Sequence, residues 1–305
     1  MKLQRVKKAI LEPIPEHSWE SQAVLNPGTI RQGDVLHMLY RAVEGENFST
    51  IGYAKLDRDG NVLERRSEPV IARTEPYEKQ GCEDPRIVKF DDTYYIFYTA
   101  YNGIDVRVAV AYTKDFIEYK KHGIIIPGVN NKDAMIFPEL VNGKVVLMHR
   151  VEPNIQFAYF DSIEQMLSGD ENYWKDYMNR LDEFTVMKPE RDWEASKIGA
   201  GPPPIKTDRG WLLIYHGVDK NLIYRGGAAL LDLEDPSKVI ARLPYPILEP
   251  EMGYELHGDV PNVVFPEGTV LFDDQLYVYY GGADKVIAMA AGNINELLDD
   301  LEKEK

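Results

Sequence analysis

One pattern recurs five times along the chain: a polar or proline-marked lead-in, a short hydrophobic strand, a turn, a second strand rich in Tyr and Leu, then a third. The second strands align as LHMLYRAVE (36–44), YYIFYTAYN (94–102), VVLMHRVEP (145–153), WLLIYHGVD (211–219) and LYVYYGGAD (276–284). Their fifth residues are Tyr40, Tyr98, His149, Tyr215 and Tyr280, at intervals of 58, 51, 66 and 65 residues by subtraction. Long repeats built from strands alone are the signature of propeller blades. Each blade is a small antiparallel sheet that cannot bury both faces by itself, so neighbours stack around an axis and bury them for it. The expected fold is all-β: a five-bladed β-propeller. A closed ring of repeats also predicts that residues 1–305 form a single domain.

Third strands follow at STIGYAKLD (49–57), RVAVAYTKD (107–115), NIQFAYFDS (154–162), LIYRGGAALLD (222–232) and KVIAMAAGN (285–293). They are β-branched or aromatic and end near Asp, Gly or Asn, as strands do. Four of them run into a further outer segment, such as ERRSEPVIA (64–72) or ARLPYPILE (241–249). There the pairs Glu68-Pro69 and Tyr245-Pro246 suit an edge strand, which tolerates a missing N–H. Two stretches depart from the pattern. In residues 162–184 Ile163, Met166, Leu167, Trp174, Tyr177, Met178 and Leu181 recur at helical spacing. They predict a short helical insertion, packed on the blade rim or serving as a lid or subunit contact. The tail predicts a C-terminal helix capped by Asn293.

A formal net charge of -15 argues against nucleic acid or anionic membrane as a partner, because phosphate surfaces bind clustered Lys and Arg. No apolar run approaches the roughly 18 residues of a membrane span, and Ala9 to Leu11 is too short for a secretory core. The one cysteine, Cys82, excludes an internal disulfide and a cysteine-based zinc site. The expected location is the cytoplasm.

Because the innermost strand of every propeller blade lines the central channel, equivalent repeat positions converge at one end of the axis. Immediately after the Tyr/His column come Arg41, Thr99, Arg150, His216 and Gly281. A lone Arg at such a place reads as a snorkelling or ion-paired side chain. Two Arg and a His in one column, with Lys197, instead suggest a cationic cluster that holds a small oxyanion such as phosphate. Opposite it stands Asp84 in the segment GCEDPR (81–86), where Pro85 is expected to force residue 84 toward extended backbone. A fixed carboxyl with a raised pKa at the channel floor would serve as a general acid. An Asp-Pro turn is also ordinary structural punctuation, Glu83 and Arg86 read equally as a structural pair, and Cys82 as a small buried hydrophobe.

These residues, taken in order, resemble the inverting mannoside phosphorylases of glycoside hydrolase family 130, which are five-bladed propellers. The similarity runs through Asn26-Pro27, Tyr40-Arg41-Ala42, GCEDPRI (81–87), KDAMIFPE (132–139), LMHR (147–150), KIGAGPPPI (197–205), WLLIYHG (211–217) and GDVPNVVFPEG (258–268). The resemblance implies that Asp84 is the catalytic acid, acting directly or through the sugar's 3-hydroxyl. It implies that Arg150, Lys197 and His216 bind inorganic phosphate, with Tyr224 and Lys132 as further contacts. Asn26, Arg41 and Asp259 would contact the transferred mannosyl unit.

The activity so implied is a glycosyltransferase-type phosphorolysis of a β-mannoside oligosaccharide to α-mannose 1-phosphate, 1,4-linked by expectation. Phosphate is a co-substrate, and no metal or organic cofactor is implied. Inverting hydrolysis would need a second carboxylate about 6.5–9.5 Å from the acid to activate water. Phosphate is already an anionic nucleophile and needs cations instead. Rival readings are an inverting β-mannosidase on the same scaffold, a furanosidase of the arabinanase kind and a non-catalytic sugar-binding propeller. The arabinanase type would want an Asp where this chain has Asn26. The helical insertion and the termini are the candidate surfaces for a homo-oligomer.

Overall fold

The second strands aligned from the repeat are central strands of five antiparallel blades in the computed structural model, which describes residues 1–6 and 8–305. Blade one holds Ala23–Gln32, Val35–Glu44, Phe48–Leu56 and Val62–Arg65; blade two holds Gly81–Phe90, Thr93–Tyr101, Val106–Thr113 and Lys120–Ile124. A parallel pairing of Ser49 with Gly81 joins these two. Blade three is Lys132–Ile136, Val145–Arg150, Ile155–Phe160 and Thr185–Met187. Blade four is Lys197–Ala200, Trp211–Val218, Tyr224–Leu231 and Val239–Arg242, with Ile205–Lys206 resuming the inner strand past the prolines. Blade five is Val264–Phe272, Gln275–Gly282 and Val286–Asn293, and its outer strand is Gln4–Arg5 from the start of the chain. The fold is a five-bladed β-propeller whose ring is closed by strands from opposite ends of the sequence.

Hydrophobic clusters lie between blades, as stacking requires. Leu39 and Ile51 pack with Ile87 and Ile96 between blades one and two. Leu212 and Ile214 meet Val264 and Val278 between blades four and five. Met38 and Leu56 meet Val270 and Ile287 across the seam between blades five and one. The outer strands are shorter than the sequence suggests. They stop at Arg65 and Arg242, ahead of Pro69 and Pro246, and the chain rejoins the third strand beyond at Ile71 and Leu248. Each proline lacks the N–H that would have carried the ladder through.

The tyrosine column explains how four of the blades are tied to the turns that lead into them. The hydroxyls of Tyr40, Tyr98, Tyr215 and Tyr280 donate to the buried carboxylates of Glu20 (2.8 Å), Glu78 (2.6 Å), Glu194 (2.9 Å) and Glu255 (2.6 Å). Each Glu sits in a short helical turn before an inner strand, and each also meets a cation: Arg65, Lys121, Arg242 and Arg5 respectively. Glu78, Glu194 and Glu255 accept two backbone N–H groups of their own turns besides. A small residue lies across from the ring in the third strand. Gly52 faces Tyr40, and a Cβ there would stand 2.4 Å from the ring. In blade three His149 replaces the tyrosine, and burial drives its imidazole down to about 3. Its two nitrogens meet Asn131 and the Tyr177 hydroxyl, each at 2.8 Å.

Tyr177 comes from the predicted insertion, which forms helices at Ile163–Leu167 and Glu171–Asn179, capped by Ser162 and Asp170. Trp174, Tyr177 and Met166 are buried against blade three, so this insertion packs on the blade. The C-terminal helix spans Ile294–Glu302, with the Asn293 side chain accepting from the N–H groups of Asn295 and Glu296. No helix among the described residues is long and apolar enough to cross a membrane.

The clamps make a stability prediction. Arg242→Met leaves Glu194 buried with its cation removed and should destabilise the fold by about 3 kcal/mol, seen as a lower urea midpoint. An unchanged midpoint would show that the clamp contributes nothing net.

Candidate active site

Inner strands of blades one to three break register at the same place, between Leu25 and Pro27, Glu83 and Arg86, and Lys132 and Met135. At each break one residue takes positive φ: Asn26 (48°), Asp84 (52°) and Asp133 (53°). Asn and Asp enter this region more readily than other non-glycine residues. Asp84 is therefore left-handed within a bulge rather than extended, a correction to the expectation drawn from Pro85. The bulges present all three side chains to one cavity of about 210 Å³. Its other walls are Arg41 and Arg150 from the second strands, Lys132 and Lys197 from the inner strands, and Glu152, Tyr224, Phe265 and Asp284.

On one side Asp84 Oδ1 accepts from Asn26 Nδ2 at 2.8 Å and faces Arg41 Nη1 at 3.6 Å. Arg41 is itself held by Glu83 at 2.9 Å and the Ser49 hydroxyl at 2.9 Å. Burial by itself would raise the Asp84 carboxyl, but Arg41, Lys132, the Asn26 amide and Arg86 outweigh it and hold it below the ordinary aspartate range. The raised pKa expected for a general acid is thus not what these neighbours produce. Asp284 behaves oppositely: desolvation, opposed by Arg41 and reinforced by Asp84, Asp259 and Glu83, pushes it up to about 6.

On the other side Arg150 forms ion pairs with Asp133 at 2.8 Å and Glu152 at 3.2 Å, and Lys197 donates to Glu152 at 2.9 Å. Beneath them Arg86 is fully enclosed, donating to Asp133 and to the carbonyls of Ala200 and Gly201. Its Nη1 stands 3.7 Å from Glu267, whose carboxyl burial pushes well above the usual range. His216 stacks on Phe265 at 4.3 Å, and its Nε2 accepts from Arg150 Nη1 at 3.0 Å. That leaves the proton on Nδ1. Burial, opposed by Asp133 and reinforced by Arg150, brings His216 down to about 3. It is neutral at physiological pH, so the cationic cluster expected from the sequence consists of Arg150 and Lys197, with His216 as a neutral donor. Among the described residues His216 Nδ1 and Arg150 Nε are buried N–H groups without a hydrogen-bond partner.

Nearly the whole chain, residues 5–303, matches the model of glycoside hydrolase family 130, described as beta-1,4-mannooligosaccharide phosphorylase. The chain belongs to glycoside hydrolase family 130. It is 43% identical over 302 residues to a 1,2-beta-oligomannan phosphorylase of Thermoanaerobacter sp. (strain X514), covering 95% of this chain and 97% of that one. It is 44% identical over 315 residues to a beta-1,2-mannobiose phosphorylase of the same strain, covering 98% and 96%. The solved beta-1,2-mannobiose phosphorylase of Listeria innocua, in complex with beta-1,2-mannobiose, superposes with a TM-score of 0.85 at 26% identity over all of both chains.

Of the residues singled out in this family 130 chain, Asn26, Arg41, Asp84, Lys132, Arg150, Lys197 and Tyr224 share the cavity wall. His216 lies behind Arg150. Asp259 does not line the cavity: it sits at the rim, paired with Lys285 at 3.2 Å and the Gln22 amide at 3.1 Å. Sequence reasoning missed Asp284, Asp133 and Glu152 as site residues. The signal for Asp284 was present in the last column of the aligned repeats, where Glu44, Asn102, Asp219 and Asp284 are polar. Among the described residues no cluster of three or more His, Cys, Asp or Glu side chains is arranged to hold a metal ion.

The electrostatic coupling across the sugar-sized side of the cavity is testable. Because the Asp84 charge contributes to raising Asp284, Asp84→Asn should move the Asp284 carboxyl titration below about 6. Carboxyl-carbon NMR of the two proteins reads this directly, and an unmoved midpoint would mean that the two groups do not interact.

Proposed function

We propose that this protein is an inverting β-mannoside phosphorylase, with Asp84 as proton donor and the Arg150, Lys197 and His216 side as the phosphate seat. The observation carrying this reading is the division of one cavity. A carboxylate positioned by Asn26 and Arg41 lies on one side, and the cations Arg150 and Lys197 lie on the other, with the neutral His216 behind Arg150. A mannosyl unit held by Asn26 and Arg41 between them would meet phosphate on the face opposite its leaving oxygen. Phosphate needs no base, so the fixed donors act by holding it in line and spreading its charge. Tyr224, stacked 6.2 Å from the His216 ring, lies at the edge of the same seat.

Proton bookkeeping fits the depressed Asp84. Hydrogen phosphate and a β-mannoside give α-mannose 1-phosphate and an alcohol: the glycosidic C–O bond breaks, a C–O bond to phosphate forms, and the phosphate proton is the one gained by the leaving oxygen overall. Asp84 passes a proton to that oxygen, directly or through the sugar's 3-hydroxyl, and is reset from bulk or phosphate each turn. In the synthetic direction the ionised Asp84 of the empty site is already the required base.

For linkage we favour β-1,2. The two long-range relatives above 40% identity carry names for 1,2-linked substrates, whereas the 1,4 linkage expected from the sequence has the support of the family description. The kcat/KM for β-1,2-mannobiose should exceed that for β-1,4-mannobiose by about tenfold or more, and the reverse ranking would restore 1,4.

Cleavage should release mannose 1-phosphate in phosphate buffer and nearly cease without phosphate. Equal free mannose in both buffers would identify a hydrolase. Asp84→Asn should lower kcat by roughly 10²–10⁴, and a variant near wild-type rate would place the acid elsewhere. Arg150→Ala should raise the KM for phosphate by roughly ten- to hundredfold, and an unchanged KM would remove it from the seat.

A further inference from the structure

Arg150 and Lys197 belong to different blades, yet a single oxygen holds both. Glu152 Oε1 accepts from Lys197 Nζ at 2.9 Å and lies 3.2 Å from Arg150 Nη2. Glu152 stands two residues beyond Arg150, in the connection between the second and third strands of blade three, and lines the cavity. One carboxylate edge bridging an ammonium and a guanidinium is the arrangement that one edge of a phosphate would make with the same two groups.

Burial distinguishes the three partners. The Arg150 side chain is 6% exposed and that of Lys197 25%, but that of Glu152 is 55% exposed. Asp133 holds Arg150 separately at 2.8 Å from the enclosed side. Glu152 can therefore turn into water without stranding a buried charge, while Arg150 keeps its aim through Asp133. Lys197 has no second ion-pair partner among the described residues, so Glu152 fixes its position. Lys197 and Arg150 outweigh the effect of burial on Glu152 and lower its pKa, so the carboxylate is charged at neutral pH. A phosphate dianion seated on the same two cations would be repelled by it.

We propose that Glu152 is a built-in competitor for inorganic phosphate: its carboxylate occupies the phosphate position on Lys197 and Arg150 and moves into solvent when phosphate enters. This rests on the phosphorolysis reading and adds to it a residue that sets phosphate affinity. Glu152 keeps two neighbouring cations from repelling one another and keeps them aimed. Its cost is a weaker hold on phosphate, which must displace it.

The experiment is calorimetric titration of inorganic phosphate, at constant ionic strength and pH 7, into the intact protein and its Glu152→Gln and Glu152→Ala variants. Both variants should bind phosphate more tightly, by roughly three- to tenfold in Kd. In steady-state kinetics the KM for phosphate should fall while the KM for the mannoside stays where it was, a split that a general loosening of the fold would not produce. An equal or larger Kd in both variants overturns the proposal and makes Glu152 a support for the cations rather than their competitor. Binding to none of the three proteins would overturn the phosphorolysis reading as well, so the two failures are distinguishable.

Discussion

Four buried carboxylates, Glu20, Glu78, Glu194 and Glu255, are the groups on which the ring depends. A charged carboxyl taken out of water is costly unless its oxygens are satisfied, and removing any partner leaves that cost exposed. Here each is met by a tyrosine hydroxyl from a second strand and a cation from an outer strand, with turn N–H groups added at Glu78, Glu194 and Glu255. The contact fixes the second strand relative to the turn that feeds an inner strand. Since the residue after each tyrosine points the other way along a strand, anchoring Tyr40 also aims Arg41 at the axis. The same relation aims Arg150 through His149, whose neutral hydrogen bonds to Asn131 and Tyr177 take the place of the charged clamp.

The site is built on that frame as a near-balanced set of charges rather than a positive patch. Asp133 and Glu152 offset Arg150 and Lys197, while Glu83 and Asp84 offset Arg41. Such a balance holds long cationic side chains in place before a ligand arrives, which limits the ordering that binding must supply. It also separates two kinds of carboxylate within a few residues' reach. Asp84, ringed by cations, is kept ionised, whereas Asp284, desolvated and facing other carboxylates, is pushed up to about 6.

The fold was legible because a propeller writes its architecture as a repeat. The aligned second and third strands match the observed ones to within a few residues, and the fourth-strand gap in the last repeat corresponds to the strand supplied by Gln4–Arg5. Most of the site was legible for the same reason: a column in the alignment is a ring in space, so Arg41 and Arg150 met Asp84 as expected. What the sequence did not carry was protonation. His216 looks like a cation and Asp84 like a raised acid until their surroundings are known: burial, reinforced by Arg150, keeps the first neutral, while Arg41, Lys132 and Asn26 outweigh burial and keep the second ionised. Asp259 shows the other limit, since Lys285 and Gln22 draw it to the rim. Bulge geometry was hidden too, because Asp84 before Pro85 reads as extended until the broken register with the next strand is seen.

Gln4–Arg5 completes blade five by pairing with Ala290 and Ala291, and Arg5 supplies the cation for Glu255. The paired strands are far apart in sequence, so their meeting closes a long loop and comes late in folding, after contacts between neighbouring repeats have formed. Until the seam zips, blade five has a bare edge and Glu255 lacks its cation, so this is where the ring would first come undone.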